Sequence, residues 1–287
     1  MTDWHGGRLS AAQSAWVGER MPDAVLVRDM SWHLVASTVL HVRGSLGGEE
    51  VDAVVKAGDA TNHHIDREIA AHAGWTDELV STRHAARLLD AHDGERVMLL
   101  DYLPGALVEG TDAEAHIGTY AQAGALLRRL HDQERRVDAE YEARVNARAL
   151  RWLDGEHRVD AVVAARARSI LSRDPAPPVE VVPTHGDWQP RNWLADGDVV
   201  RVIDFGRFAF RPAATDLVRL AAQQWRGRPD LEAAFLASYG DDPRDADRSR
   251  MNALREAIGT ACWAFQVGDA PFEAQGHRML DAALRAF

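Results

Sequence analysis

Thr184-His185-Gly186-Asp187-Trp188-Gln189-Pro190-Arg191-Asn192-Trp193-Leu194, followed one short hairpin later by Val202-Ile203-Asp204-Phe205-Gly206-Arg207, decides how this chain reads. Two carboxylates and an amide sit on short turns between apolar, β-prone residues. In the phosphoryl-transfer template one Asp takes the proton of the attacking hydroxyl. An Asn four or five residues on binds a metal, and a second Asp after the next strand binds metal too. Asp187, Asn192 and Asp204 fit these roles in order. His185 and Asp187 could equally be ligands in a metal-dependent hydrolase, but a hydrolase has no need of the nucleotide-binding pattern upstream.

That upstream pattern centres on one residue. Of 33 basic residues Lys56 is the only lysine. A chain so biased toward arginine keeps a lysine where a compact ammonium is required and a planar guanidinium does not fit. Lys56 ends the third of three β-like runs, Ala24 to Arg28, Thr38 to Arg43 and Val51 to Lys56, the last two joined by a turn through Gly44 to Gly48. A helix is predicted over residues 61–72, with Glu68 as the partner of Lys56 and Asp66 as the alternative. His63, His64 and His72 on that helix are expected on solvated surface, since neighbouring histidines at i and i+1 point to different sides. Ser10 caps a further helix to Met21. Two more strands, Ala85 to Asp90 and Arg96 to Asp101, end at Tyr102-Leu103-Pro104-Gly105, where Pro and Gly stop regular structure.

His185-Gly186-Asp187, then Asp204-Phe205-Gly206-Arg207 with Asp216-Leu217 twelve residues after Asp204, resemble the catalytic and metal-binding loops of the aminoglycoside phosphotransferase and choline kinase family, relatives of the protein kinases. The likeness runs from about residue 25 to about residue 225. It implies an α+β, two-lobed, protein-kinase-like fold, with an N-terminal five-stranded antiparallel sheet plus a helix and a mainly helical C-terminal lobe. The nucleotide lobe would be residues 1–101, the hinge 102–106, and the catalytic and acceptor lobe 107–287. The resemblance also implies ATP, or GTP, with Mg²⁺ as cofactors. Lys56 would reach the α- and β-phosphates, and Ser37 and Thr38 would take the place of a Gly-rich phosphate loop. The carbonyl of Asp101 and the amide of Leu103 would bond the base edge. Asn192 and Asp204 would hold the metal and Asp187 would act as the base. His185 would brace its loop, His131 would be structural, and Asp216 would anchor the turn after the metal site.

From Asp112 onward helical spacing dominates, with helices expected at 113–131, 137–153, 159–171, 213–225, 229–239, 245–267 and 271–286. Acceptor contacts are expected from Trp188 and Arg191 beside the catalytic residues and from Trp263, Asp269 and Glu273 in the C-terminal helices. The implied acceptor is a hydroxyl-bearing small molecule, an aminoglycoside-like antibiotic or amino sugar, with an amino alcohol or hydroxyl amino acid as the alternative. A net charge of -11 disfavours nucleic acid and anionic membrane as partners and is compatible with a cationic acceptor. With no eighteen-residue apolar run and no basic-then-apolar start, a cytoplasmic protein is expected. Cys262, the only cysteine, is expected in the core. A kinase-like pseudoenzyme that binds nucleotide or scaffolds a partner is the competing class. Such proteins usually lose the lysine, the base or a metal ligand, and this chain has all three. A protein kinase is disfavoured because no Ala-Pro-Glu-type segment or long activation loop follows Asp204.

Overall fold

Alternation along the strands explains both the sheet and what faces it. The computed structural model describes residues 4–31, 37–59 and 62–287. Helix α1 (Ala11–Arg20) opens with a capping box between Ser10 and Gln13. Strands β1 (Val25–Asp29), β2 (Ser37–Leu46), β3 (Glu49–Gly58), β4 (Leu88–His92) and β5 (Val97–Asp101) form an antiparallel sheet in the order β1-β2-β3-β5-β4. Leu46 pairs with Glu49, so the β2–β3 loop is only Gly47-Gly48. Both glycines have positive φ, 62° and 89°, as a two-residue hairpin turn of matching twist requires. Residues 44–46, expected in that turn, belong to β2.

Leu40, Val42, Ala53, Val55, Ala57, Val97 and Leu99 pack on one face of the sheet with Trp16, Val17 and Met21 from α1 and its C-cap. Val54, Met98 and Leu100 face the other way, against Ile65 and Ile69 of α2 (His63–His72). Both faces are covered, which is why Val97-Met98-Leu99-Leu100 reads as a continuous apolar run. Parity then fixes the polar positions: Lys56 shares the face of Val54.

The sheet belongs to a compact unit made of Met1–Glu134, Val182–Phe210 and Thr215–Asp242. The same unit holds α3 (Asp77–Ser81), β6 (Ala106–Leu107), α4 (Ile117–His131), β9 (Trp193–Asp196), β10 (Val199–Val202), α7 (Val218–Ala222) and α8 (Pro229–Tyr239). Strands β9 and β10 are the hairpin read from sequence, and β6, which sequence reading left as loop, pairs with β9. Arg201 of β10 is buried and donates to the carbonyls of Arg83 and Pro104 and to Asp196. It thereby ties the segment after β5 to the hairpin. The helix expected at 213–225 is instead a 3₁₀ turn at Ala213–Leu217 followed by α7.

Gly124 lets α4 and α8 touch: a Cβ there would lie 2.3 Å from the carbonyl oxygen of Phe235. Replacing Gly by Ala in a helix interior normally stabilises by about 1 kcal/mol. At this contact overpacking reverses the sign, and Gly124→Ala is expected to destabilise by about 1–3 kcal/mol. A urea midpoint higher in the variant than in the parent would refute the close contact.

A second unit comprises Arg135–Val181, Arg211–Ala214 and Pro243–Phe287. It contains α5 (Tyr141–Asp154), α6 (Ala161–Arg173), α9 (Ala246–Val267) and α10 (Ala270–Leu284). A short strand, β7 (Arg136–Asp138), pairs with Val179, Glu180 and Val181 at the start of β8 (Val179–Thr184). Sequence reading had begun a helix at Val137. Leu153, Leu171, Leu254, Ile258, Cys262 and Leu280 are among its core residues. Beside them Arg248 and Arg255 bond the buried carboxylates of Glu142 and Asp174. Cys262 is in the core as expected, and burial pushes its thiol up to about 11, so it stays protonated. Among the described residues no helix is long and apolar enough to cross a membrane.

Candidate active site

Lys56 stands at the centre of a buried ionic cluster. Its Nζ donates to Glu68 Oε2 at 2.5 Å and to Asp204 Oδ1 at 3.1 Å. Glu68 is the partner favoured from sequence, while Asp66 pairs with Arg96. Burial works against the ammonium, but Asp204 and then Glu68 more than offset this and hold Lys56 above its ordinary value. Burial pushes Glu68 up to about 7 against the pull of Lys56. Lys56 in turn brings Asp204 down to about 2, against some desolvation of its half-exposed side chain. Asp204 also has a left-handed backbone, φ 67°. Non-glycine residues pay for that conformation, and such strain clusters at functional turns.

Ser37 and Thr38 are adjacent on β2 and therefore point to opposite faces. The Ser37 hydroxyl accepts a hydrogen bond from Asn62 Nδ2 at 2.7 Å on the Lys56 side. Thr38 donates to the carbonyl of Arg8 at 3.0 Å, away from it. Leu34, Val35 and Ala36, the rest of the expected phosphate turn, lie outside the described residues, as do Ala60 and Thr61 before α2. The helix cap is Asn62, which accepts from the His64 amide.

The catalytic loop is held from behind. Asp216, fully buried, accepts from the amides of His185 at 2.8 Å and Gly186 at 2.6 Å, and lies 3.1 Å from His131 Nε2. It therefore anchors the His-Gly-Asp loop itself rather than the turn after the metal site. His131 Nδ1 is 2.8 Å from the Tyr239 hydroxyl, a structural role as expected. His185 braces its loop by two bonds: Nε2 donates to the Ile203 carbonyl at 3.0 Å, and Nδ1 accepts from the Asp187 amide at 3.3 Å.

Asp187 is 4% exposed and crowded by donors. Arg219 lies 3.2 Å and Gln189 2.5 Å from Oδ1; Arg191 lies 2.5 Å and Arg207 3.9 Å from Oδ2. Burial opposes ionisation, but Arg219, Arg191 and Arg207 outweigh it and hold the carboxyl below the usual range. Asn192 donates its amide to the Asp187 carbonyl at 2.8 Å.

Lys56, Glu68, Ser37, Asp101, Leu103, Arg191, Asn192 and Asp204 all line one cavity of about 650 Å³, together with apolar Val39, Val54, Leu100 and Ile203. Thr38, Trp188 and Asp187 do not, although Arg191, which bonds Asp187, does. Trp188, expected at the acceptor, is fully buried in the core with Trp193. Trp263, Asp269 and Glu273 belong to the second unit. There Trp263 is half-exposed against Phe272, Asp269 caps α10, and Glu273 lies 3.5 Å from both Arg158 and His277. Sequence reading missed Arg219 and gave Arg207 no role. It also missed Gln189 on Asp187, and the only signal for Arg219 was its place three residues after Asp216.

His72 corrects another expectation. It falls on the buried stripe of α2 with Ile65, Glu68 and Ile69, bonded to Thr76 and edge-on to Phe205, whereas His63 is exposed as expected. Burial, aided by Lys56, pushes its imidazole down to about 3. Below the ordinary value of 6.5 the unfolded chain binds a proton that the folded chain refuses, so stability falls as pH drops from about 6.5 toward 3. The slope is at most about 1.4 kcal/mol per pH unit for one group. His72→Gln should flatten the fall in melting temperature between pH 6.5 and 4.5. Parallel curves for parent and variant would show that His72 titrates normally.

Asp204 and Asn192 both line the cavity, and a carboxylate with an amide oxygen is a hard donor set that suits Mg²⁺. Among the described residues no three His, Cys, Asp or Glu side chains group as a metal cage. An ion held there would take its remaining ligands from phosphate and water.

Comparison with known proteins bears on the family and the fold. No curated protein matches the chain. Many solved structures do, at low identity and over nearly the whole length. Macrolide 2'-phosphotransferase MphH from Brachybacterium faecium superposes with a TM-score of 0.61 at 17% identity, covering 95% of this chain and 98% of that one. Choline kinase LicA from Streptococcus pneumoniae gives 0.67 at 10% identity, covering 96% and 100%. The GDP complex of aminoglycoside 2'-phosphotransferase-IIIa gives 0.64 at 12%, covering 95% and 97%. These likenesses establish the kinase-like α+β fold. The model of the phosphotransferase enzyme family matches residues 59–254, and by that match over most of its length the chain belongs to the phosphotransferase enzyme family.

Proposed function

We propose that this phosphotransferase is a Mg²⁺-dependent kinase that moves the γ-phosphate of ATP or GTP onto a hydroxyl of a small molecule. The observation that carries the reading is Lys56 bonded to both Glu68 and Asp204, on the cavity that also receives Asn192. On this reading residues 1–101 bind nucleotide, 102–106 are the hinge and 107–287 carry catalysis and acceptor.

The chemistry follows from the positions. The base enters between Leu100 and Ile203, with the Asp101 carbonyl and Leu103 amide at its edge. Lys56, oriented by Glu68, bonds the α- and β-phosphates, and Ser37 is placed to donate to them. Asp204 and Asn192 hold the metal, which when bound neutralises charge on the phosphate oxygens. Asp187 accepts the acceptor's hydroxyl proton. A carboxylate kept acidic by three arginines is a weak base, so Asp187 chiefly orients the hydroxyl and takes its proton late, as a loose phosphoryl transition state permits. Arg191, on the cavity and 2.5 Å from Asp187, faces the phosphate in transfer.

The resemblance points to an aminoglycoside-like antibiotic or amino sugar as acceptor, while the solved relatives divide among macrolide, choline and aminoglycoside enzymes. The test is release of ADP or GDP by the purified protein with Mg²⁺ across a panel of such hydroxyl compounds, with Asp187→Asn as control. Acceptor-dependent release abolished in the control supports the reading. Release that persists undiminished in Asp187→Asn would refute it, and nucleotide binding with no transfer to any acceptor would favour a pseudoenzyme.

A further inference from the structure

Lys56 holds the carboxylate of Asp204, but the left-handed backbone of that residue, φ 67°, must be held as well. A conformation of this kind persists only where its surroundings over-determine it. The main chain is gripped by a histidine on each side of Asp204. Before it, His185 Nε2 donates to the Ile203 carbonyl at 3.0 Å. After it, His64 Nδ1 lies 2.8 Å from the Gly206 carbonyl oxygen. A carbonyl only accepts, so Nδ1 carries the proton and donates. Gly206 lets the two segments meet: a Cβ there would lie 3.1 Å from His64 Cβ and 3.3 Å from Asp204 Oδ1. His64, Glu68 and His72 follow one another at intervals of four along α2 and so share a stripe. On that stripe His64 bonds the Gly206 carbonyl, Glu68 bonds the lysine that holds Asp204, and His72 lies edge-on to the Phe205 ring at 5.3 Å. His64, expected from sequence on solvated surface, is indeed exposed. The bond to Gly206, rather than burial of the ring, is therefore what its side chain contributes.

We infer, resting on the kinase reading above, that His64 is a positioning residue for Asp204, and that its bond to the Gly206 carbonyl keeps the turn set to bind a divalent ion. A ligand fixed beforehand holds its ion more tightly than one that must first be ordered. Without the bond one restraint on the turn is lost, and Asp204 can relax toward the negative φ that a non-glycine residue prefers. Lys56 stays in place through Glu68. Loss of His64 should thus weaken the hold on the metal and spare the hold on the phosphates. The same bond ties the turn to the helix that carries Glu68, so one element sets both the ammonium that meets the phosphates and the carboxylate that meets the ion.

The test reads the metal through nucleotide binding and needs no phosphoryl transfer. ADP affinity is measured calorimetrically in EDTA and across a Mg²⁺ series for the parent, His64→Ala, His64→Asn and His64→Gln. The amide nitrogen of Asn can take the place of Nδ1, whereas that of Gln stands one methylene farther out. His64→Ala should raise the Mg²⁺ concentration of half-maximal effect by about tenfold or more, the scale for losing a partner that orients a metal ligand. His64→Asn should recover most of that loss, and His64→Gln less of it. ADP affinity in EDTA should match the parent's in all three variants, which shows that they are folded with the cavity intact. A Mg²⁺ midpoint unchanged in His64→Ala would overturn the inference, as would His64→Asn performing no better than His64→Ala. So would a loss of ADP affinity in EDTA as large as the loss with Mg²⁺, which would reduce His64 to a support of α2. These three outcomes leave the kinase reading standing. A parent protein whose ADP affinity ignores Mg²⁺ would instead take the metal from Asp204, and the inference and the kinase reading would fall together.

Discussion

Asp187→Asn lowers turnover by at least ~10²-fold, the scale for losing a positioned proton acceptor, while MgATP affinity stays near that of the parent. The substitution keeps the shape of the side chain, so Gln189 and the loop held by Asp216 and His185 should stay in place. What disappears is the charge that orients a hydroxyl and receives its proton. Since the three arginines outweigh burial and keep the parent carboxyl acidic, protonation of Asp187 should limit kcat only below the usual carboxylate range. The measurement is steady-state kinetics with nucleotide and acceptor varied independently. Unchanged turnover in Asp187→Asn would remove Asp187 from the mechanism.

Lys56→Met is expected to act on the nucleotide instead, lowering kcat/KM for MgATP by at least ~10²-fold. Two charged hydrogen bonds to phosphate oxygens are lost, each worth about 1.5–3 kcal/mol, and Asp204 loses the ammonium that fixes its carboxylate. Breaking a buried ion pair normally costs about 3–5 kcal/mol of stability. Here the cost should be smaller, because burial already brings Glu68 to about 7 and it can protonate when its partner leaves. Titrating the variant with a fluorescent nucleotide tests the first effect, and its melting temperature tests the second. Parent-like nucleotide affinity would end the argument from the solitary lysine.

Much of this site was legible because its chemistry is local in sequence. Asp187, Asn192 and Asp204 lie within eighteen residues, and Lys56 was marked by residue choice before its place was known. The contact with Glu68 was expected from the helix predicted over residues 61–72 and the phosphoryl-transfer template. What sequence could not supply depends on distant segments meeting. His72 reads as a polar helix residue until the sheet is laid over its stripe, and Thr38 reads like Ser37 until β2 alternates. Trp188 beside the base looked available to a ligand, yet the core closes over it. Asp216 was placed one loop away from its true partners because hydrogen bonds to amides leave no trace in residue type. Arg219 was invisible for the same reason: one arginine on a polar helix carries no mark of the carboxylate that it will meet. In the fold, the short strands β6 and β7 were missed because two or three residues show no period, whereas the five-stranded sheet and most helices did.

The burial of the chain's one ε-amine has a use at the bench. Acylating reagents need a free amine, and an ammonium clamped between two carboxylates is not deprotonated at neutral pH. Modification of Lys56 therefore requires the clamp to open, and its rate measures how often that happens. Because every other tryptic site of the chain is an arginine, a blocked Lys56 abolishes one cleavage and fuses two peptides into one. A digest taken over time thus becomes a clock for the release of Lys56 from Glu68 and Asp204, and whether nucleotide slows that clock can be read from the same digests.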